Sequence, residues 1–284
     1  MNSSSTTDLK VAFLGTGSMN GAILRGLLAS GFDPDRVIAT CRSEESANAL
    51  RNQVPVTVVA SETDGQANAK AVKRAGVVVL GVKPKGIQAL AAEISQALEK
   101  GAIVVSVAAA VTTGMIEAQL RAGQPVVRAM PNTPSQVGMG VTSISAGRGT
   151  GPADMKRVAD LLKSTGFVTQ VPEDQVNAVA AVSGSGPAYA FYLAEIMAAA
   201  GQQLGLDADL ARVLAAKTVA GAGRMLDAPE VDPGVLRKAV TSPNGTTEAA
   251  IRVFDDADMR GIMARAAQAA SERAEEITRE LGGA

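Results

Sequence analysis

Two short stretches of the sequence concentrate hydroxyls, glycines and a proline directly before predicted helices. They read SGSGPAY at 183–189 and TSPNGTT at 241–247. A Ser-Pro turn, a glycine and two threonines at a helix start bring amides and hydroxyls together, which makes a receptor for a carboxylate. The first stretch could equally be only a helix start with an early proline. Because a bare cap needs just one Ser or Thr, the second stretch predicts a binding site.

The sequence contains no histidine and one cysteine, Cys41. A histidine base, a Ser-His-Asp triad and a His-ligated metal are therefore excluded, and we predict no metal site. A single cysteine also excludes an internal disulfide framework and fits a reducing compartment. We interpret Cys41 as a small apolar filler, because no base is available to activate its thiol. Chemistry must then come from a bound cofactor, hydroxyls, carboxylates, lysines or backbone groups.

A glycine-rich turn follows the first apolar strand of the chain. Gly15 permits a tight turn, and Gly17 lets the backbone approach a pyrophosphate, while the following helix supplies amide donors. Asn20 stands where a third glycine is usual, and Gly21 comes one residue later. The strand–turn–helix context predicts a dinucleotide site, with a merely tight turn as the alternative.

The end of the second predicted strand indicates which nicotinamide cofactor binds. NAD-binding folds usually place Asp or Glu there for the ribose hydroxyl, whereas this chain has Arg42 and Ser43. A guanidinium and a hydroxyl would bind a 2′-phosphate, which a carboxylate would repel. NADPH is the predicted cofactor, with NADH as a weaker donor. Glu44 and Glu45 keep open the alternative that Arg42 is a solvated surface charge.

Short β-branched runs alternate with helical stretches from residue 10 to about residue 171. Near-continuous apolar strands separated by helices predict the α/β class, with a Rossmann-like doubly wound parallel sheet covered on both faces. The predicted strands are Lys10–Leu14, Val37–Thr40, Val56–Val59, Val77–Val82, Ile103–Val107, Val126–Ala129, Val141–Ser145 and Phe167–Val171. The predicted helices among them include Ala22–Ala29, Ile87–Leu98 and Ala153–Ser164. The stretches VKP at 82–84, VAAA at 107–110 and MPNTP at 130–134 follow strands at the same sheet edge, although each alone could be a turn.

After about Pro172 the strand signal stops. The predicted helices there are Asp174–Val182, Pro187–Leu204, Asp207–Leu226, Gly234–Lys238, Thr246–Phe254 and Asp258–Leu281. We therefore predict an NADP-binding domain at 1–171, with a polar tail at 1–9, and an all-helical substrate-binding and dimerisation domain at 172–284. The Ala-rich apolar stripe of the last helix predicts a homodimer or higher assembly, against a monomeric helical lobe packed only on its own sheet domain.

Composition narrows the classes of partner. The 284 residues are 46% hydrophobic and 19% charged with a net charge of −1, which is typical of a globular protein. No long basic run occurs and only 2% of residues are aromatic, so nucleic acid and anionic membranes are poor candidate partners. The opening residues lack the apolar core of a signal peptide, and no apolar run reaches membrane-spanning length. We expect a cytoplasmic protein that acts on a small molecule.

With these motifs in place, the sequence resembles the pyrroline-5-carboxylate reductase family from Gly15 to about Leu281. The most specific segments are GSGPAY at 184–189, VTSPNGTT at 240–247, VKP at 82–84 and MPNTP at 130–134. The resemblance implies that NADPH reduces 1-pyrroline-5-carboxylate to L-proline, the last step of proline synthesis. It also implies an N-terminal Rossmann-like domain and a helical C-terminal domain that dimerises by interleaving, with dimers assembled into a decamer.

The resemblance implies a role for residues on both sides of the reaction. For the cofactor these are Leu14, Gly15, Thr16, Gly17, Ser18 and Met19 at the pyrophosphate, Arg42 and Ser43 at the 2′-phosphate, Asn68 at the ribose, and Gly81, Val82, Lys83, Pro84, Val107 and Ala109 along the cofactor. For the substrate they are Ser242, Gly245 and Thr246 at the carboxylate, Thr247 at the ring nitrogen as the catalytic residue, and Glu230 nearby. Asn68 could instead be a helix-surface amide, Lys83 a surface charge and Glu230 a solvated loop carboxylate. Thr247 is expected to position the nitrogen, because a hydroxyl of ordinary pKa is a poor general acid.

The sequence departs from the family pattern at three positions. Glycine is frequent in the family where this chain has Ala110 and Asn244, and histidine where it has Asp232. Asparagine tolerates the left-handed conformation better than most residues, so the turn can still form. Two rival functions stay open, a reductase of a related cyclic imine or β-hydroxy acid and a non-catalytic NADP-binding protein. A hydroxy-acid enzyme would want a lysine base in these motifs, and a non-catalytic protein would be expected to lose Thr247 or the carboxylate receptor.

Overall fold

The computed structural model describes residues 9–228 and 230–283. The chain divides into two compact units, which we call the sheet unit (up to Gly184, together with the stretch from Ser271) and the helical unit (Ser185–Ala270). Residues 172–184, which the sequence assigns to the helical domain, have contacts in the sheet unit. Glu173 Oε1 lies 3.4 Å from Arg128 Nη1 in an ion pair. The predicted domain boundary between residues 171 and 172 marks the point where the strand signal ends. It stays a prediction.

The sheet unit contains one eight-stranded sheet. Its strands are β1 (Val11–Leu14), β2 (Val37–Cys41), β3 (Thr57–Ala60), β4 (Val77–Leu80), β5 (Ile103–Ser106), β6 (Val126–Met130), β7 (Gly140–Ala146) and β8 (Gly166–Gln170). Each lies within two residues of a predicted strand at either end, so these predictions are confirmed. The order β3-β2-β1-β4-β5-β6-β7-β8 changes direction between β1 and β4. The crevice beyond the carboxyl ends of these two strands is where open α/β sheets bind ligands.

One strand departs from the expected parallel arrangement. β7 pairs antiparallel with β6, from Val127 opposite Ala146 to Met130 opposite Ser143. The connection consists only of residues 131–139 and contains the 3₁₀ turn Thr133–Val137. A parallel crossover needs roughly a dozen residues or more, so this short connection favours an antiparallel neighbour.

Helices cover both faces of the sheet, which confirms the doubly wound class. The chain's helices are α1 (Ser18–Ala29), α2 (Glu44–Arg51), α3 (Ala67–Ala71), α4 (Ile87–Ile94), α5 (Thr113–Glu117), α6 (Pro152–Leu162), α7 (Val176–Val179), α8 (Gly186–Gln203), α9 (Ala208–Leu226), α10 (Pro233–Ala239), α11 (Thr246–Asp256) and α12 (Met259–Gly282). Alternate residues of a strand point to opposite faces. Phe13 accordingly belongs to the core cluster with Leu24 of α1, whereas Leu14 belongs to the other cluster with Leu90 of α4.

The helical unit holds α8 to α11 and the beginning of α12, and its described residues form no strand, which confirms the predicted all-helical character of the C-terminal half. Among its described residues, Ala211 and Ala215 are the only buried apolar ones. The exposed large apolar side chains include Phe191, Tyr192, Leu204, Leu210, Val213, Leu214, Met225, Leu226, Val235, Val253, Phe254, Ile262 and Met263. These helices therefore leave much of their apolar surface uncovered within one chain. No helix in the described part of the chain is long and apolar enough to cross a membrane.

Candidate functional site

The glycine-rich turn after β1 has the geometry of a phosphate-binding loop. Gly15 has φ +71°, and a Cβ there would lie 2.3 Å from Val82 Cγ1, so no larger residue fits. A Cβ at Gly17 would meet nothing within 4 Å, which leaves the backbone open to an approaching ligand. α1 begins at Ser18 with Gly17 as its N-cap and no side-chain cap. Its first amides are thus available to an anion such as a pyrophosphate.

Asn20 replaces the third glycine of the usual pattern and ties together the two strands at the switch point. Its buried Nδ2 donates to Leu14 O at 3.1 Å and to Val79 O at 3.3 Å, at the ends of β1 and β4. A Cβ at Gly81 would lie 2.3 Å from Asn20 Cγ. The bulk of Asn20 therefore requires glycine at 81, a pairing that the sequence alone did not reveal.

Thr40, at the end of β2, links the glycine turn to Asn68. Its buried hydroxyl donates to Asn68 Oδ1 at 2.7 Å and accepts from Gly15 N at 3.3 Å. Asn68 Nδ2 donates in turn to Glu93 Oε1 on α4 at 3.1 Å. The Asn68 amide is thereby held in one orientation beside the turn, while its contact with a ribose stays a prediction. No local sequence pattern indicates these roles of Thr40 and Glu93.

Arg42 and Ser43 lie where β2 passes into α2. Ser43 is the N-cap of α2, and its Oγ accepts from Ser46 N at 3.3 Å. Arg42 is exposed, and its guanidinium has no hydrogen bond or ion pair with any residue that the structure describes. It is free to meet a 2′-phosphate, and a solvated surface charge remains the alternative.

The strand-end stretches meet at the same edge of the sheet. Gly81, Val82, Lys83 and Pro84 follow β4, and Val107 and Ala109 follow the neighbouring strand β5. Lys83 and Ala109 are exposed. Ala110 has φ +63°, a left-handed conformation that accounts for the glycine common in the family there. These residues follow the carboxyl ends of β4 and β5, on the side of the sheet where the β1–β4 crevice opens. Their contacts with a cofactor stay predictions.

Asn132 links two motifs that are far apart in the sequence, MPNTP at 130–134 and SGSGPAY at 183–189. Only 7% exposed, it accepts at Oδ1 from Val141 N at 2.8 Å and donates from Nδ2 to Ser183 O at 2.9 Å. Ser183 belongs to a π-helical segment, Ala180–Gly184, which interrupts the predicted helix 174–182. A Cβ at Gly184 would lie 3.1 Å from Met130 Cε. MPNTP and the start of SGSGPAY therefore form one structure, and π segments are frequent at functional sites.

The turn before α11 presents an uncapped helix N-terminus in the helical unit. Gly245 N donates to Ser242 O at 3.0 Å, and a Cβ at Gly245 would lie 3.0 Å from the same backbone oxygen, so a larger residue would crowd the turn. Asn244 has φ +56°, which confirms the predicted left-handed conformation. α11 begins at Thr246 and has no side-chain cap.

The hydroxyls of Thr246 and Thr247 make no hydrogen bond within the described chain, while Glu248 Oε2 accepts from Asn244 N at 2.9 Å. Two hydroxyls and the first amides of α11 are therefore free to meet an anion. Glu230 is exposed with φ +59°. The roles of these residues toward a substrate stay predictions.

Burial shifts the pKa of two side chains in the sheet unit, Cys41 and Arg128. Burial raises the pKa of the Cys41 thiol, as expected of an apolar filler rather than a nucleophile. Burial lowers the pKa of Arg128, and the nearby Glu173 carboxylate opposes that shift.

Across the described ranges, no group of three or more Cys, Asp or Glu side chains is placed to hold a metal ion.

Comparison with known proteins gives consistent matches over both units. Residues 173–277 match the family described as pyrroline-5-carboxylate reductase dimerisation, and residues 10–110 match NADP oxidoreductase, coenzyme F420-dependent. The chain is 39% identical over 270 residues to a pyrroline-5-carboxylate reductase of Corynebacterium melassecola, covering 94% of this chain and 98% of the relative. It is 38% identical over 274 residues to that of Pseudomonas aeruginosa, covering 96% and 98%. A solved pyrroline-5-carboxylate reductase from Coxiella burnetii is 38% identical, with a TM-score of 0.89 over 95% of this chain and 99% of that one.

Proposed function

Because the chain belongs to the pyrroline-5-carboxylate reductase family, we propose that its sheet unit holds the cofactor and that its helical unit supplies the substrate receptor. The protein reduces the C=N bond of 1-pyrroline-5-carboxylate to give L-proline, with NADPH as the hydride donor. The observation that carries the assignment of residues is the turn at 242–247, where an uncapped helix N-terminus and two free hydroxyls lie together.

On the cofactor side, the fit rests on the open backbone at Gly17 and the uncapped N-terminus of α1. Leu14 to Met19 would hold the pyrophosphate, and Arg42 and Ser43 the 2′-phosphate. Asn68, oriented by Thr40 and Glu93, would contact the ribose. The rest of the cofactor would be lined by residues 81–84 together with Val107 and Ala109. A reduced nicotinamide bound there supplies the hydride, and the protein contributes alignment and electrostatics.

On the substrate side, Ser242, Gly245 and Thr246 would bind the carboxylate through amides and hydroxyls at the positive end of the α11 dipole. The Thr247 hydroxyl would hydrogen-bond the ring nitrogen and orient it. A protonated cyclic imine is strongly electrophilic, so no metal is needed to polarise the bond. Glu230, on an exposed loop, is the least constrained of the proposed substrate residues.

The helical unit forms the subunit interface in this proposal. Residues 173–277 match a dimerisation family, and the unit exposes the apolar side chains of α8, α9, α11 and α12. Covering such surface with a second copy is the usual solution for a symmetric oligomer. A homodimer, its further assembly into a decamer and a cytoplasmic location belong to the proposal.

A spectrophotometric assay tests the function. We expect NADPH to be consumed with 1-pyrroline-5-carboxylate, more slowly with NADH, and more slowly with a six-membered cyclic imine acid. Arg42→Ala should raise the KM for NADPH much more than that for NADH. Faster turnover of the six-membered imine would move the substrate assignment to the related-imine alternative, and equal effects of Arg42→Ala on both cofactors would remove Arg42 from the 2′-phosphate site.

A further inference from the structure

A carboxylate of the protein itself occupies the place beside the proposed 2′-phosphate site. The chain leaving β3 continues alongside the end of β2, where Ser61 N donates to Cys41 O at 2.9 Å and Glu62 N donates to Arg42 O at 3.1 Å. These backbone bonds fix Glu62 next to the turn formed by Arg42 and Ser43.

The Glu62 side chain reaches the N-terminus of α2. Its Oε1 accepts a hydrogen bond from Glu44 N, the first amide of that helix. Ser43 Oγ accepts from Ser46 N, so Ser43 and Glu62 bind two different amides of the same first turn, two residues apart. Glu62 thus acts as an internal anion at a helix end, where a phosphate would also be stabilised.

Glu62 has no ion pair with any residue that the structure describes. Glu44 forms an ion pair with Arg51, so this arginine already has a carboxylate partner. Glu45 is exposed in the same first turn of α2 and adds a second negative charge. Arg42 is the cation of this turn without a partner among the described residues.

We propose that Glu62 sets the balance between NADPH and NADH, an inference that rests on the proposed 2′-phosphate site. A 2′-phosphate must displace the Glu62 carboxylate from the Glu44 amide and then remain beside a like charge. The 2′-hydroxyl of NADH carries no charge, and it can donate to a carboxylate as it does in NAD-binding folds. Glu62 therefore opposes NADPH, favours NADH, and offsets part of what Arg42 contributes.

Glu62→Gln tests this directly, because the amide keeps the size of the side chain and can still accept from Glu44 N. Calorimetric titration should show the Kd for NADP⁺ falling about fivefold, the size expected for removing one nearby charge at a protein surface. The Kd for NAD⁺ should stay the same or rise. The gain for NADP⁺ should shrink as salt is added, since exposed charges are screened. Glu45→Gln is the matched control, because it removes an exposed charge from the same turn but no bond to a helix amide, and it should change the Kd for NADP⁺ by less than Glu62→Gln does.

The possible outcomes separate this proposal from the assignment on which it rests. Equal changes in both Kd values, or a shift in melting temperature with both cofactors weakened, would show that Glu62 only caps α2 and would overturn the proposal. If Arg42→Ala weakens NADP⁺ alone while Glu62→Gln changes neither Kd, the 2′-phosphate site stands and the role of Glu62 fails. If Arg42→Ala weakens neither or both equally, the proposed 2′-phosphate site itself fails.

Discussion

The two units of the chain bury their apolar residues very differently. In the sheet unit, every residue of β1, β4 and β5 is buried, and helices cover both faces. In the helical unit, Ala211 and Ala215 are the only buried apolar residues among those described. The sheet unit therefore completes its own core, whereas the helices of the other unit keep apolar surface that a second copy could cover.

The difference extends to the polar sites. Around the glycine turn, Asn20 and Thr40 are buried and tied to neighbouring strands by hydrogen bonds. In the turn at 242–247, Ser242, Asn244 and Thr246 are exposed. The proposed cofactor site is thus held in place by the core of its own unit, whereas the proposed substrate turn is exposed in the described chain.

The largest expected effect comes from placing a charge on the uncovered helices. Leu214 in α9 is 48% exposed in the single chain. Leu214→Asp should abolish assembly, because burying an unpaired carboxylate under a second copy costs too much free energy of solvation. Light scattering after size exclusion should give the monomer mass of 28.8 kDa for the variant and at least twice that for the parent. Phe167→Asp is the control in the sheet unit, where the side chain is 66% exposed, and it should leave the mass unchanged. An unaltered oligomer for Leu214→Asp would show that this face of α9 is not covered by a second copy.

Asn132→Ala should disturb both stability and turnover. It leaves Val141 N and Ser183 O without their partner, which should lower the free energy of unfolding by about 2–4 kcal/mol. Because the π segment is then free to shift, kcat should fall roughly tenfold. Urea unfolding and steady-state kinetics measure these effects. The exposed neighbour offers the control Thr133→Ala, which should change both little, and a stable Asn132→Ala enzyme with parent kcat would contradict the linkage.

Thr40→Val should weaken both cofactors alike. The variant keeps the shape of the side chain but removes the hydroxyl between Gly15 N and Asn68 Oδ1. The Kd values for NADP⁺ and NAD⁺ should each rise about threefold to tenfold, because Gly15 N and Asn68 Oδ1 each lose a hydrogen-bond partner and the turn is held less firmly. Thr40→Ser should restore them. Loss of affinity for NADP⁺ alone would place Thr40 at the 2′-phosphate instead of at the turn.

The smallest expected effect concerns Cys41. Because burial raises the pKa of its thiol, less thiolate forms near pH 8 than in an exposed cysteine. Alkylation by iodoacetamide should be slow in the folded protein and should accelerate on unfolding in urea. Rapid labelling of the native enzyme at pH 8 would show that β2 opens, against the closed core of the sheet unit.

The sequence predicts the strands well because buried parallel strands are continuous apolar runs, such as VVVL at Val77–Leu80. It also predicts the left-handed Asn244, because glycine is frequent there in the family and asparagine tolerates the same conformation. The antiparallel β7 was not expected, although the short connection before it carried the signal.

Contacts between distant segments could not be predicted in this way. Asn132 with Ser183, Thr40 with Asn68, and Glu62 with Glu44 depend on how elements meet in three dimensions, and no local pattern records them. Asn20 shows the reverse case. It breaks the glycine pattern, and only the structure explains the break, through the space that Gly81 leaves.

The most direct test of the division of labour between the units is Thr247→Ala, with Thr247→Ser beside it. We predict that Thr247→Ala lowers kcat roughly tenfold to a hundredfold, because the imine nitrogen loses its hydrogen bond in the transition state. Thr247→Ser should recover most of that loss, and the calorimetric Kd for NADP⁺ should be unchanged in both variants. Parent kcat in Thr247→Ala, or weakened NADP⁺ binding in either variant, would contradict the account.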